Sequence, residues 1–204
     1  MRKFWYGVCY VICRIGLFLW HPVYHCEGRE RVPERSAVIC GNHSGMADPL
    51  WVMLALNYHD IIHIMAKEEL NHIPLLSPIL RYFGITFVKR GQHDRAAYET
   101  CVKALDGENE KLLVFIEGTR CKDGKHPRAH TGAIRIAQEA GVPLVPVYVS
   151  RGRKPFSPVK VIFGDPVETD GIDPNDYEEL QDTADRLLKS IYELGEDSYA
   201  DTVG

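Results

Sequence analysis

From residue 37 onward the chain alternates short apolar runs with stretches of helical periodicity, and no other feature constrains its fold as strongly. The runs at 37–40, 61–65, 85–89, 112–116, 144–149 and 159–163 are short, apolar and bounded by turn residues, as buried strands are. Between them, 49–58, 76–83, 94–106 and 131–140 carry helical patterns. Gly84, Gly107 and Gly141 stand just past three of those stretches, where a left-handed glycine closes a helix without a Cβ clash. After Pro174, the residues Tyr177, Leu180, Ala184, Leu187, Leu188, Ile191 and Leu194 recur at three- and four-residue steps, which predicts a final amphipathic helix over the core. Strands alternating with helices imply an α/β fold: a single domain with a mixed, largely parallel sheet flanked by helices. With 204 residues, 45% of them hydrophobic, the chain holds enough apolar material for one core. The expected division is 1–35 for an N-terminal helix and connector, 36–195 for the α/β domain and 196–204 for an acidic tail.

Charge is unevenly distributed. Residues 164–204 hold thirteen Asp or Glu against Arg186 and Lys189, a net of −11, so within a chain of net charge −4 the first 163 residues carry +7. A basic body suits anionic partners such as phosphate groups or an acidic membrane surface. Nucleic acid fits less well, because the basic residues are not interleaved with a stacking-aromatic motif. The six cysteines form no CxxC pair and the histidines no recognisable ligand set, so neither a disulfide framework nor a metal is expected; a reducing, cytosol-facing environment fits.

Residues 4–20 are apolar or aromatic except for Arg14, with Arg2 and Lys3 before them. A spanning helix needs about 20 apolar residues, and this run is shorter, interrupted by a charge and basic on both flanks. A cleaved signal peptide would show an unbroken apolar core and a small-residue cleavage site. A core or oligomer helix remains open. The aromatic richness favours an interfacial helix that buries Phe4, Trp5, Tyr6, Tyr10, Phe18 and Trp20 at the acyl boundary, with Arg14 reaching the head groups. The expectation is thus a monotopic or peripheral association of residues 1–20 with the cytosolic face of the cell membrane.

The segment Gly41-Asn42-His43-Ser44-Gly45-Met46-Ala47-Asp48-Pro49 lies between a predicted buried strand and an apolar helix. On a continuous helix, residues five apart point away from each other, so His43 and Asp48 can meet only through a turn, which Ser44-Gly45 can supply. Asp48 before Pro49 has the form of an N-cap followed by proline at the first helical position. A carboxylate on one imidazole nitrogen sets the tautomer and stabilises the imidazolium, which makes the histidine a base near neutral pH. No Gly-x-Ser-x-Gly elbow occurs, so such a base would have to activate water or a substrate hydroxyl. On spacing alone, a capping Asp beside an ordinary loop histidine fits equally well.

Asn42-His43 through Asp48 resembles the His-x4-Asp box of the glycerolipid acyltransferases. Three further segments resemble that family's other blocks in the same order: Gly84-Ile-Thr-Phe-Val-Lys-Arg90, Phe115-Ile-Glu117-Gly118-Thr119-Arg120 and Val142-Pro-Leu-Val-Pro146-Val147. Ile116 stands where the family usually has proline, and His130-Thr131 precede Gly132 where a lysine is common. The resemblance implies that His43 and Asp48 deprotonate an acceptor hydroxyl, which attacks an acyl thioester, acyl-CoA or acyl carrier protein, without a covalent enzyme intermediate and without a cofactor. It implies 1-acyl-glycerol-3-phosphate as the acceptor lipid and phosphatidic acid as product, with Arg90, Glu117, Gly118, Thr119 and Arg120 binding the acceptor and Lys67 steering an anionic substrate. Another lipid acceptor, such as a lysophospholipid, glycolipid or ornithine lipid, would give the same blocks, and a non-catalytic lipid-binding protein is the remaining alternative. The basic stretch from Glu117 to Arg135 suits a phosphate-binding loop. Within it Cys121, between Arg120 and Lys122, sits where flanking charge would lower a thiol pKa, although the implied chemistry needs no thiolate.

Overall fold

The computed structural model describes residues 2–56, 61–72, 74, 77, 85–88, 94–121 and 129–195. Seven strands form one sheet: β1 (Tyr24–Glu27), β2 (Ala37–Gly41), β3 (Ile61–Lys67), β4 (Ile85–Val88), β5 (Glu110–Phe115), β6 (Leu144–Val149) and β7 (Val159–Phe163). The described α-helices are α1 (Arg2–Trp20), α2 (Asp48–Ala55), α3 (Arg95–Lys103), α4 (Gly132–Ala140) and α5 (Tyr177–Leu194). The helix expected at 76–83, apart from Ser77, lies outside the described residues, as does Gly84.

The strand order is β1-β7-β6-β2-β5-β3-β4, and every neighbouring pair is parallel except β6 with β7. This is the single-domain, largely parallel α/β sheet that the alternating pattern implied. The extra strand is β1. Its sequence, Tyr-His-Cys-Glu, carries too little apolar signal to be read as a strand, and it exists because its backbone pairs with β7 from Tyr24 to Glu27.

Central strand β2 shows why its near-continuous apolar run is needed. Successive side chains point to opposite faces, so Ala37 and Ile39 join one buried cluster with Trp51 and Val52 of α2, while Val38 and Cys40 join another with α3, α4 and α5. Both faces are covered, and every β2 residue is buried. On the second face, α5 contributes Leu180, Ala184, Leu187, Leu188, Ile191 and Tyr192. Each fully buried Leu or Ile there stabilises by about 1.5–3 kcal/mol, so α5 is integral to the core.

Local chemistry sets the helix ends. Asp94 caps α3 by accepting from Ala97 N at 3.1 Å, and Asp176 caps α5 by accepting from Glu178 N and Glu179 N at 2.9 and 3.0 Å. Gly141, at φ 63°, closes α4 as expected. Gly107 does not close α3, which ends at Lys103 with Ala104 as its cap.

Helix α1 packs on α2 through Tyr10, Cys13 and Leu17, and Tyr10 Oη donates to Leu54 O at 3.3 Å. Tyr10 therefore faces the protein, against the expectation that it joins the outward aromatic set. Trp5, Val11, Ile12, Ile15, Phe18, Leu19 and Trp20 are exposed. The side chains of Phe4 and Tyr6 lie outside the described residues. Among the described residues, no helix is long and apolar enough to cross a membrane.

Candidate active site

The adjacent strands β6, β2 and β5 end together, and the segments leaving their C-terminal ends build the site. In parallel sheets this edge collects ligands. Asn42, fully buried, ties two of the ends together: its Nδ2 donates to Val149 O at 2.9 Å and its Oδ1 accepts from Val149 N at 2.7 Å. The next residue, His43, is thereby placed at the sheet edge. Its ring stacks on Phe115 with centroids 4.1 Å apart. Its backbone is gripped by the segment after β5, through His43 N to Glu117 Oε2 (3.2 Å) and Cys121 N to His43 O (2.8 Å).

The turn required between His43 and Asp48 is present. His43 Nδ1 lies 3.0 Å from Asp48 Oδ2, and the same oxygen accepts from Ser44 N and Gly45 N, both at 2.7 Å. The structure corrects one expectation here: Ala47 is the N-cap of α2, and Asp48 is its first helical residue. The carboxylate satisfies the N–H groups of the preceding turn instead of those of the helix, which is what aims it at the imidazole. Its other oxygen, Oδ1, accepts from Arg153 Nη2. Burial pushes the Asp48 carboxyl up, yet the His43 hydrogen bond, the Arg153 charge and the Gly45 N–H together hold it below the usual aspartate range. Asp48 is fully buried and ionised, while the His43 side chain keeps 12% of its surface open.

Glu117, also fully buried, spans the gap from β5 to α5. Its Oε1 accepts from Tyr192 Oη and its Oε2 from His43 N. Burial raises its carboxyl, and those two hydrogen bonds, with a third from the Cys121 side chain, only partly offset the rise. Arg151 lies over the Tyr192 ring at 5.3 Å and lowers the Glu117 carboxyl through its charge. Gly118 adopts φ 66°, and a Cβ there would meet the His130 ring at 2.5 Å, so both conformation and space require glycine. Thr119 and Arg120 follow on the exposed side.

Of the other predicted site residues, Lys67 ends β3, two strands from β2 in the sheet, and its side chain lies outside the described residues. Arg90 lies outside them too, as do residues 122–128 of the basic loop. The electropositive setting foreseen for Cys121 does not prevail. Cys121 is buried beside Glu117, and burial together with that carboxylate pushes its thiol up to about 12. Among the described residues, no group of three or more His, Cys, Asp or Glu side chains is placed to hold a metal ion.

Three residues at the site went unread in the sequence: Arg151, Arg153 and Tyr192. The first two carried a usable signal, since Ser150-Arg151-Gly152-Arg153 directly follows an apolar strand, at the edge where an α/β sheet gathers its ligands. Tyr192 carried none, because it stands on the final helix, 75 residues from Glu117.

An acyltransferase family profile matches residues 23–150, which hold His43, Asp48 and Glu117. The chain belongs to the acyltransferase family. A 1-acyl-sn-glycerol-3-phosphate acyltransferase of Borreliella burgdorferi is 32% identical over 137 residues, covering 66% of this chain and 54% of that protein. The enzyme of that name from Pseudomonas aeruginosa is 22% identical over 192 residues, covering 85% of this chain and 72% of the relative. The chain thus spans little more than half the length of the Borreliella acyltransferase. Among solved structures, the 1-acyl-sn-glycerophosphate (LPA) acyltransferase PlsC of Thermotoga maritima aligns with TM-score 0.73 and 25% identity, over 98% of this chain and 83% of that one. Arg151 and Arg153 fall just beyond the matched region and Tyr192 well beyond it.

Proposed function

We propose that this acyltransferase moves a fatty acyl group from a thioester, acyl-CoA or acyl carrier protein, to the free hydroxyl of 1-acyl-glycerol-3-phosphate, forming phosphatidic acid. The observation that carries the proposal is the 3.0 Å contact between His43 Nδ1 and a fully buried Asp48 carboxylate. With Nδ1 committed to Asp48, Nε2 is the nitrogen left to take a proton. The acceptor hydroxyl gives its proton to Nε2 as its oxygen bonds to the thioester carbonyl carbon. The tetrahedral intermediate then collapses, the carbon–sulfur bond breaks, and the imidazolium returns the proton to the departing thiolate. Asp48 stabilises the imidazolium between those steps.

The protein's own nucleophiles support direct transfer. Cys121 is buried and its thiol is held protonated, so it is a poor acyl carrier. In this reading residues 36–195 carry the chemistry, Arg120 and Arg90 bind acceptor phosphate through paired N–H donors, Lys67 steers it, and no cofactor takes part. The exposed apolar face of α1 rests on the cytosolic membrane surface. Because α1 also packs on α2 through Tyr10, Cys13 and Leu17, the association is best tested with Phe18→Glu and Leu19→Glu, which should reduce sedimentation with anionic liposomes while the melting temperature holds.

The acceptor is tested by offering the purified protein one acyl thioester and a panel of lyso-acceptors: lysophosphatidic acid, lysophospholipids with larger head groups, lyso-ornithine lipid and a glycolipid. Mass spectrometry should find phosphatidic acid as the dominant product. Preference for an acceptor without a terminal phosphate would replace the acceptor assignment, and no acyl transfer to any acceptor would point to a lipid-binding protein.

A further inference from the structure

The Asp48 carboxylate is held by two different kinds of donor. Oδ2 takes His43 Nδ1 and the N–H groups of Ser44 and Gly45, which by themselves fix the carboxylate's place and direction. Oδ1 takes Arg153 Nη2, from the segment after β6, and the Arg153 side chain is 9% exposed. Arg153 is held in turn by Nη1 donating to Ser150 O. The guanidinium therefore adds little to orientation that the turn has not already fixed. It adds a positive charge on the far side of the carboxylate from the imidazole.

Gly45 supplies a second, independent observation. Its backbone lies outside the left-handed region, so conformation does not demand glycine there. A Cβ at Gly45 would, however, lie 2.8 Å from Arg153 Nη2 and 3.5 Å from Asp48 Oδ1. The atom in the way is the tip of a flexible side chain, so a methyl group would displace the guanidinium from the carboxylate instead of breaking the turn. The absence of a side chain at position 45 keeps the path from Arg153 to Asp48 open.

We propose that Arg153, admitted by Gly45, is a positioning residue that acts through Asp48 to set the pH range in which the His43–Asp48 pair works as a base. This rests on the acyl-transfer reading above. A lone carboxylate strongly favours the imidazolium and would keep the histidine protonated to higher pH. The arginine divides the field of the carboxylate, so the imidazolium is held less tightly and releases its proton more readily to the leaving thiolate. The arginine also keeps Asp48 ionised. The other charged and titratable groups around the pair are Glu117, Cys121 and His130 from the connection between β5 and α4, Arg151 beside Arg153, and Tyr192 of α5.

The test is the pH–rate profile of acyl transfer in full-length Arg153→Gln, Arg153→Lys and Gly45→Ala, with His43→Ala alongside and folding checked by circular dichroism. In Arg153→Gln and Gly45→Ala the acid limb of kcat/KM should move to higher pH by about one unit. Turnover should be down several-fold at neutral pH and largely recover in alkaline buffer. Arg153→Lys, which keeps the charge, should stay closer to the parent profile. A double variant, Gly45→Ala with Arg153→Gln, should shift no further than either single one. If Arg153→Gln cannot be purified folded, Gly45→Ala alone decides, since it leaves every charged group in place. Folded variants with an unmoved acid limb, or a loss of activity that alkaline buffer does not restore, would overturn the proposal. If instead His43→Ala keeps its turnover, it is the acyl-transfer reading that fails.

Discussion

Two of the histidine–carboxylate pairs among the described residues have nearly the same separation and stand at opposite ends of the central strands. His43 Nδ1 lies 3.0 Å from Asp48, and His63 Nε2 lies 2.9 Å from Glu110; both histidine side chains are 12% exposed. What differs is the setting. At the N-terminal edge, Glu110 is a quarter exposed, its N–H donates to Ser36 Oγ at 3.0 Å, and Lys111 donates to Arg35 O at 2.8 Å. That end is a set of short local bonds tying β5 to the chain entering β2. At the C-terminal edge, Asp48 is fully buried and accepts four donors, two from the turn, one from His43 and one from Arg153, while Glu117 locks the His43 backbone in place. A histidine beside a carboxylate is thus not a site in itself. The fixed buried charge, and the open ring nitrogen it leaves, make the difference.

The largest effect that should sharpen this contrast is at Asp48. Asp48→Asn keeps the shape but loses the ionised acceptor, and turnover should fall by about 10²–10⁴-fold. It also strands the Arg153 charge, and removing one partner of a buried pair costs about 3–5 kcal/mol in urea unfolding. The Asp48 carboxyl titrates below its unfolded value in the folded protein, so its stabilisation is complete above about pH 4 and is lost as pH falls through the lower folded value. In Asp48→Asn that acid-range loss should be missing.

An intermediate effect is expected at Tyr192. Tyr192→Phe removes the donor to Glu117 Oε1 from a buried carboxylate, at a cost of about 1–3 kcal/mol in stability. Turnover should fall less than in Asp48→Asn, because Glu117 acts by holding the His43 backbone. The smallest effect is expected at the other pair. His63→Ala should leave turnover unchanged and cost no more than about 1 kcal/mol, the scale of a partly exposed pair. A large activity loss there would erase the distinction between the two edges.

The sheet and the Asp48 pairing differ in how far they could be read beforehand. Ala37 to Cys40 and Leu144 to Val149 are buried on both faces, so their apolar runs announce strands without help from the rest of the chain. β1 is held by backbone pairing with β7, which leaves no apolar signature in Tyr-His-Cys-Glu. At the site, His43 and Asp48 could be read because five residues and one turn join them. Arg153 is 105 residues from Asp48, and only the order β6-β2-β5 brings it there. The Cys121 thiol goes the other way from its flanking charges for a related reason: its sequence neighbours are cationic, but its spatial neighbour is Glu117.

The most direct test of the central claim is the rate of phosphatidic acid formation from lysophosphatidic acid and acyl-CoA, measured side by side for His43→Ala and His63→Ala with melting curves for both. His43→Ala should be folded and inactive while His63→Ala turns over at the parent rate. Substantial turnover by His43→Ala, or equal losses in the two variants, would contradict it.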